Sequence, residues 1–203
     1  MSRLRGVYVA GDFPGDLDEA ARNSLDTLFE SVFPQYFKRA GAPEGAPLPS
    51  SWALLTRNPE LALLVAKLSD YIFHDMPWGQ REDLRQLMIQ TLNQHFMCDF
   101  AFHMHMEVSK RAGISAEMQA ALPFWRTSSL FNHEQRDVIA FTQAALAGTM
   151  TDELFARAVT LFGEKQTLEF TVAIAYLAFW AILLNTWQPQ LDDAYAPFEA
   201  TDE

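Results

Sequence analysis

Apolar residues recur at helical spacing along most of the chain, and no segment alternates with period two for long enough to argue a strand. Residues 17–39 place Leu17, Leu25, Leu28, Phe29, Val32 and Phe33 in a helical register, with Pro34 expected to stop or kink the helix near its end. The Pro- and Gly-rich stretch 41–51 is punctuation. Asn58-Pro59-Glu60 reads as a cap with Pro at the first helical position, opening a helix to about residue 72. HDMPWGQ (74–80) reads as a loop. From 81 to about 96, Leu84, Leu87, Met88, Thr91 and Leu92 share one stripe, and a further helix runs from about 98 to 111, stopped by Gly113. Ser115 and Thr151 are expected to be N-caps. The last long helix, about 164–187, is apolar nearly all round and is expected to be the most buried. The pattern predicts an all-α fold. A weak internal echo, 79–96 against 163–180, leaves a helical duplication open.

The expected division is an N-terminal arm with one helix and a linker (1–50), a helical domain (51–190) and an acidic C-terminal tail (191–203). Composition narrows the function. The chain has 203 residues, 49% of them hydrophobic and 20% charged, enough to bury a core without a metal or disulfide staple. A net charge of −11 argues against nucleic acid and against an anionic membrane surface as partners. The apolar run 170–184 falls short of the roughly 20 residues of a bilayer span. One cysteine excludes an intramolecular disulfide and a CxxC pair, and a reducing, cytoplasmic setting is expected.

Candidate chemistry concentrates in His95-Phe-Met-Cys98-Asp99-Phe-Ala-Phe-His103-Met-His105. Cys98 and His105, seven apart, share one helix face if the helix includes both, and a thiol beside a base can form thiolate. A metal set of His95, Asp99 and His103 needs a helix unbroken through Met97. The blander reading, an Asp99–His103 pair on a solvated face with no metal and no cofactor, is preferred.

Arg57-Asn-Pro-Glu60-Leu, Arg85-Gln86-Leu-Met-Ile, the Cys98–His105 stretch and Arg111-Ala-Gly-Ile-Ser115 follow in an order that resembles the carboxymuconolactone decarboxylase family, which includes the alkylhydroperoxidase D-like proteins. Asn132-His133-Glu134-Gln135-Arg136 and Leu183-Leu184-Asn185 resemble the second half of its longer members. The resemblance implies a homo-oligomer, a homodimer first and a trimer or hexamer second. The helix around 168–184 and the aromatic segment 94–106 independently carry apolar surface that a monomer would leave exposed. The family's peroxidase branch uses a Glu, a CxxC pair and a His. Mapped here, these fall on Gln86, Cys98 with Ala101, and His105. Ala101 removes the resolving thiol and Gln86 cannot carry a proton, so a dithiol peroxidase is excluded. The decarboxylase branch, by resemblance, works on a small carboxylated lactone by acid–base chemistry without a cofactor.

Three readings follow. The first is a cofactor-independent acid–base enzyme on a small organic acid or lactone. His105 would be the acid or base, with an unperturbed pKa near 6.5 suited to neutral pH. Gln86 would orient it or donate to an enolate, Cys98 would line the pocket, and His95 and His103 would be second choices for acid–base work. The second is a thiol reductase or peroxidase using Cys98 with an outside thiol. The third is a non-catalytic binding protein on the same fold.

Overall fold

A computed structural model describes residues 2–13, 15–42 and 45–189. Its regular structure among these is helical throughout. The chain packs as two compact units. One is formed by the chain up to Asp75 with the described residues from Trp187 on, the other by Met76–Thr186. The packing boundary therefore falls at 75/76, whereas the sequence division was drawn at 50/51; the tail 191–203 lies outside the described residues.

In the first unit α1 (Glu19–Thr27), capped by the Asp18 carboxylate on the Ala21 N–H, does not stop at Pro34. It passes through a π-helical turn, Leu28–Val32, into α2 (Phe33–Arg39). The wide turn lets the Phe33 N–H reach back to the Leu28 carbonyl, and Pro34 then sits in a first turn where its missing N–H costs nothing. α3 (Ser50–Leu55) follows. α4 (Pro59–Asp70) starts as expected, with Asn58 accepting from the Leu61 N–H and Pro59 at the first position. It continues through a second π turn, Tyr71–Asp75, so the expected loop at 74–80 is instead the end of this turn followed by a 3-10 turn at Pro77–Gln80.

The second unit is built on α5 (Glu82–His95), which packs against α6 (Asp99–Arg111) and α8 (His133–Ala147). Because α5 has neighbours on more than one side, its apolar stripe (Leu84, Leu87, Met88, Leu92) is buried together with Gln86, Gln90 and Asn93. α7 (Ala116–Ala121) is capped by Ser115, α8 opens with an Asn132–Gln135 capping box, and Thr151 caps α9 (Asp152–Trp187). Arg136 of α8 donates to the carbonyls of Trp125, Arg126, Ser128 and Phe131, closing the loop that precedes its own helix. Gly163, at φ +77°, breaks α9, so the helix read at 164–187 is a distinct piece. The two echoing segments enter their helices differently: one through the 3-10 turn, the other through this left-handed glycine.

α9 is not buried all round as expected. Leu168, Val172 and Ile182 are exposed on it, while Phe170, Ala173, Ile174, Leu177 and Ala181 form the core face. By length and composition α9 could cross a membrane, and half of its most apolar window is buried inside the protein.

Candidate active site around His105 and Gln86

α5 ends at His95 and the chain reverses before α6 begins. The Cys98 N–H bonds back to the Asn93 carbonyl at 2.8 Å and the Met97 N–H to the Gln94 carbonyl at 3.1 Å, with Met97 left-handed at φ +49°. That reversal removes the condition for the His95–Asp99–His103 metal set, which needs one unbroken helix. It also corrects the shared-face argument for Cys98 and His105. Cys98 is the cap residue of α6 at φ −90°, ψ 79°, outside the helical spiral.

The reversal lays α6 along α5, and neutral side chains fix the register. The Gln90 amide donates to the Phe102 carbonyl (3.1 Å) and to Gln119 Oε1 (2.8 Å), and its own oxygen accepts from Asn93 Nδ2. Gln119 in turn donates to the carbonyls of Met106 and Ile114. One turn N-terminal of Gln90 the same face of α5 carries Gln86. His105 Nδ1 lies 3.0 Å from Gln86 Oε1, and the Ser109 hydroxyl donates to that oxygen at 3.4 Å. Since Oε1 can only accept, the imidazole carries its proton on Nδ1 and keeps the Nε2 lone pair. Gln86 is therefore an orienter, and its oxygen is engaged by His105 and Ser109.

Burial, with the nearby Arg85 charge, holds the His105 pKa at about 4, well below the 6.5 of a free imidazole. At neutral pH His105 is thus a neutral base. The expectation of an unshifted pKa is corrected. Arg85 is anchored by a 2.6 Å bond from Nη1 to the Gly79 carbonyl, with Glu82 3.6 Å away.

Cys98 is 1% exposed, and burial raises its thiol above the usual value, against the pull of the Ala101 N–H and reinforced by Asp99. Met97 is 83% exposed and contributes little to that burial. His103 does not pair with the Asp99 carboxylate. Its Nδ1 bonds the Asp99 backbone carbonyl at 2.7 Å on an exposed face. His95 stacks edge-on against Phe96. The structure thus brings Gln86, His105 and Ser109 together, with the Arg85 charge near enough to act on the imidazole, and leaves His95, Asp99 and His103 out of that group. Among the described residues no group of His, Cys, Asp and Glu is placed to hold a metal. A cavity of about 490 Å³ in the first unit, walled by Phe29, Phe33 and Phe37, is lined by none of these residues.

The sequence reading missed Arg85 as a charge, Ser109, and the Gln90–Asn93–Gln119 network. The signal was present in α5: Gln86, Gln90 and Asn93 recur at i, i+4 and i+7 in a helix whose Ile89 already lies off the main apolar stripe.

No family model matches the sequence, and no curated protein matches it. Two solved structures are similar. The apo debrominase Bmp8 is 19% identical with a TM-score of 0.65, covering 88% of this chain and 91% of that one. A Cys-to-Ala variant of Bmp8 in complex with 2,3,4-tribromopyrrole is 18% identical with a TM-score of 0.67, covering 96% of each chain. Likeness at this identity shows a shared all-α fold.

Proposed function

We propose that the protein is a cofactor-independent acid–base enzyme acting on a small organic acid or carboxylated lactone, of the carboxymuconolactone decarboxylase type. The hydrogen bond from His105 Nδ1 to Gln86 Oε1 carries this reading, because it presents Nε2 as a fixed, neutral proton acceptor. Arg85 gives the substrate its sign. A carboxylate drawn to the guanidinium would offset the charge that depresses the His105 pKa, so binding itself makes the base stronger. Decarboxylation, or proton transfer at a carbon next to a carbonyl, is the matching reaction class. The protein acts in the cytoplasm as a homodimer, supported by the exposed Leu168, Val172 and Ile182 within one arc of α9. A sedimentation mass near that of one chain, 23.0 kDa, at micromolar concentration would sink the dimer.

The test is proton exchange into deuterated solvent and CO₂ release on a panel of small keto acids and carboxylated lactones. His105→Asn is expected to lose about 10²–10⁴-fold, Gln86→Leu somewhat less, and Cys98→Ser less than twofold.

A second reading has one observation behind it: the fold neighbour whose cysteine variant was crystallised with a brominated pyrrole. Here Cys98 and an outside thiol would become a mixed disulfide, while a ring carbon–bromine bond is replaced by carbon–hydrogen and bromide leaves with a proton. The buried, protonated Cys98 counts against it. Loss of turnover in Cys98→Ser with activity kept in His105→Asn would replace the first reading with the second.

A further inference from the structure

Glu169 is a carboxylate in the core, 6% exposed, on the piece of α9 that carries no other charge from there to its end. Its Oε2 accepts the Trp78 backbone N–H at 3.0 Å. Its Oε1 is buried without a hydrogen-bond partner, with Lys165 Nζ 3.8 Å away on a side chain that is 78% exposed. A buried carboxylate is expensive, and apolar residues of similar volume are usually at least as stable in such places. Its position accounts for it. Trp78 is fully buried and stacked on Phe170 at 4.4 Å, and the next residue in the 3-10 turn, Gly79, supplies the carbonyl that anchors Arg85. The turn is gripped from both sides, Glu169 taking the N–H of Trp78 and Arg85 donating to the carbonyl of Gly79.

We propose that Glu169 is a positioning residue for the candidate site: by fixing the Trp78–Gly79 turn it holds the Arg85 guanidinium beside His105. Beside burial, Arg85 is the charge among the described residues that depresses the His105 pKa, and Glu169 does not act on the imidazole directly. Loosening the turn frees the guanidinium to swing toward Glu82 and solvent, and the imidazole becomes more basic. This rests on the reading of His105 and Arg85 as the site, but its readout needs no substrate, so failure of the enzymatic assignment and failure of this proposal are separate results.

The experiment is an NMR titration of the histidine rings in the full chain, with the His105 signal assigned by its loss in His105→Asn. Glu169→Leu fills the same space without an acceptor and is expected to raise the His105 pKa by half a unit or more. Glu169→Gln, whose amide oxygen still takes the Trp78 N–H, is expected to leave it within about 0.2 unit. In an Arg85→Gln background Glu169→Leu is expected to have no further effect. An unchanged His105 in Glu169→Leu, or an equal shift in Glu169→Gln, overturns the proposal. Should Glu169→Leu not fold, Arg85→Lys reads the other end of the grip: its single ammonium cannot reproduce the guanidinium's hold, and an unshifted His105 there overturns the proposal equally.

Discussion

Two histidines in this protein are held by the same nitrogen and differ in everything else. In the first unit His74 Nδ1 lies 2.8 Å from Asp70 Oδ1, and the other Asp70 oxygen takes Arg39, which also reaches Asp75 at 2.6 Å. Arg39 and Asp75 are 40% and 50% exposed, and the Arg39 hydrogen bond holds the Asp75 carboxyl below its usual range. In the second unit His105 Nδ1 meets the Gln86 amide oxygen, which Ser109 shares. Gln86 and Ser109 are buried and uncharged, as is the Gln90–Asn93–Gln119 network that begins one turn further along α5, and Arg85 is the charge nearby. The contrast shows two ways to orient an imidazole. A carboxylate among water-exposed ions supplies charge, whereas a neutral amide supplies direction alone and leaves burial and the Arg85 charge to decide the proton.

The largest effect that sharpens this contrast is expected from the neutral network. Gln90→Leu strands Gln119 Oε1 and Asn93 Nδ2 in the interior, and is expected to cost about 3 kcal/mol. Urea unfolding should show a lower midpoint with an unchanged slope. Arg39→Ala in the ionic cluster is expected to cost far less, and added salt should shrink even that difference. Comparable losses from the two would erase the distinction between the units.

The next effect is acid sensitivity. The folded pKa of His105, about 4, is below the unfolded value near 6.5, so between those limits the unfolded chain binds more protons and stability falls as pH falls. About 2–3 kcal/mol is expected to be lost across that window and to be absent in His105→Asn. Gln86→Glu makes the second histidine resemble the first. A carboxylate at 3 Å is expected to raise the His105 pKa by about 1–3 units, and the acid-side loss should then shrink. A His105 pKa that stays near 4 in Gln86→Glu would mean that burial and Arg85, rather than the partner on Nδ1, dominate the site.

How much of this was legible follows from what kind of pattern each feature left. The helices after Asn58-Pro59, Ser115 and Thr151, and the stop at Gly113, were readable because caps act within four residues of themselves. The pairing of Gln86 with His105 was legible only through spacing borrowed from a resemblance, and of the two roles expected of Gln86 the contact at Nδ1 is the orienting one. The left-handed Met97 was invisible, since nothing local marks a methionine for that conformation. Missing it placed Cys98 inside a helix and on one face with His105. The π turns before Pro34 and after Asp70 likewise depend on what α1, α2 and α4 pack against, which no periodicity encodes.

The smallest prediction concerns that turn, because it delivers α6, and with it His105, onto α5. The chain leaves α5 and α6 by the same bonding pattern: Cys98 N–H to Asn93 carbonyl and Met97 N–H to Gln94 carbonyl in one, Ile114 N–H to Ser109 carbonyl and Gly113 N–H to Lys110 carbonyl in the other. Gly113 sits at φ +88° without a Cβ penalty, whereas Met97 bears it at φ +49° with its side chain in solvent. Met97→Gly relieves strain of about 1–2 kcal/mol and gives back roughly half to the greater freedom of an unfolded glycine, so a net gain of about 0.5–1 kcal/mol is expected. Gly113→Ala is expected to lose about 1 kcal/mol at the matching position. Denaturant midpoints check both. Because Met97 packs against little, the His105 titration should be unmoved in Met97→Gly. A destabilised Met97→Gly would show that the methionine side chain holds the turn, and that the two helix ends are alike in hydrogen bonding only.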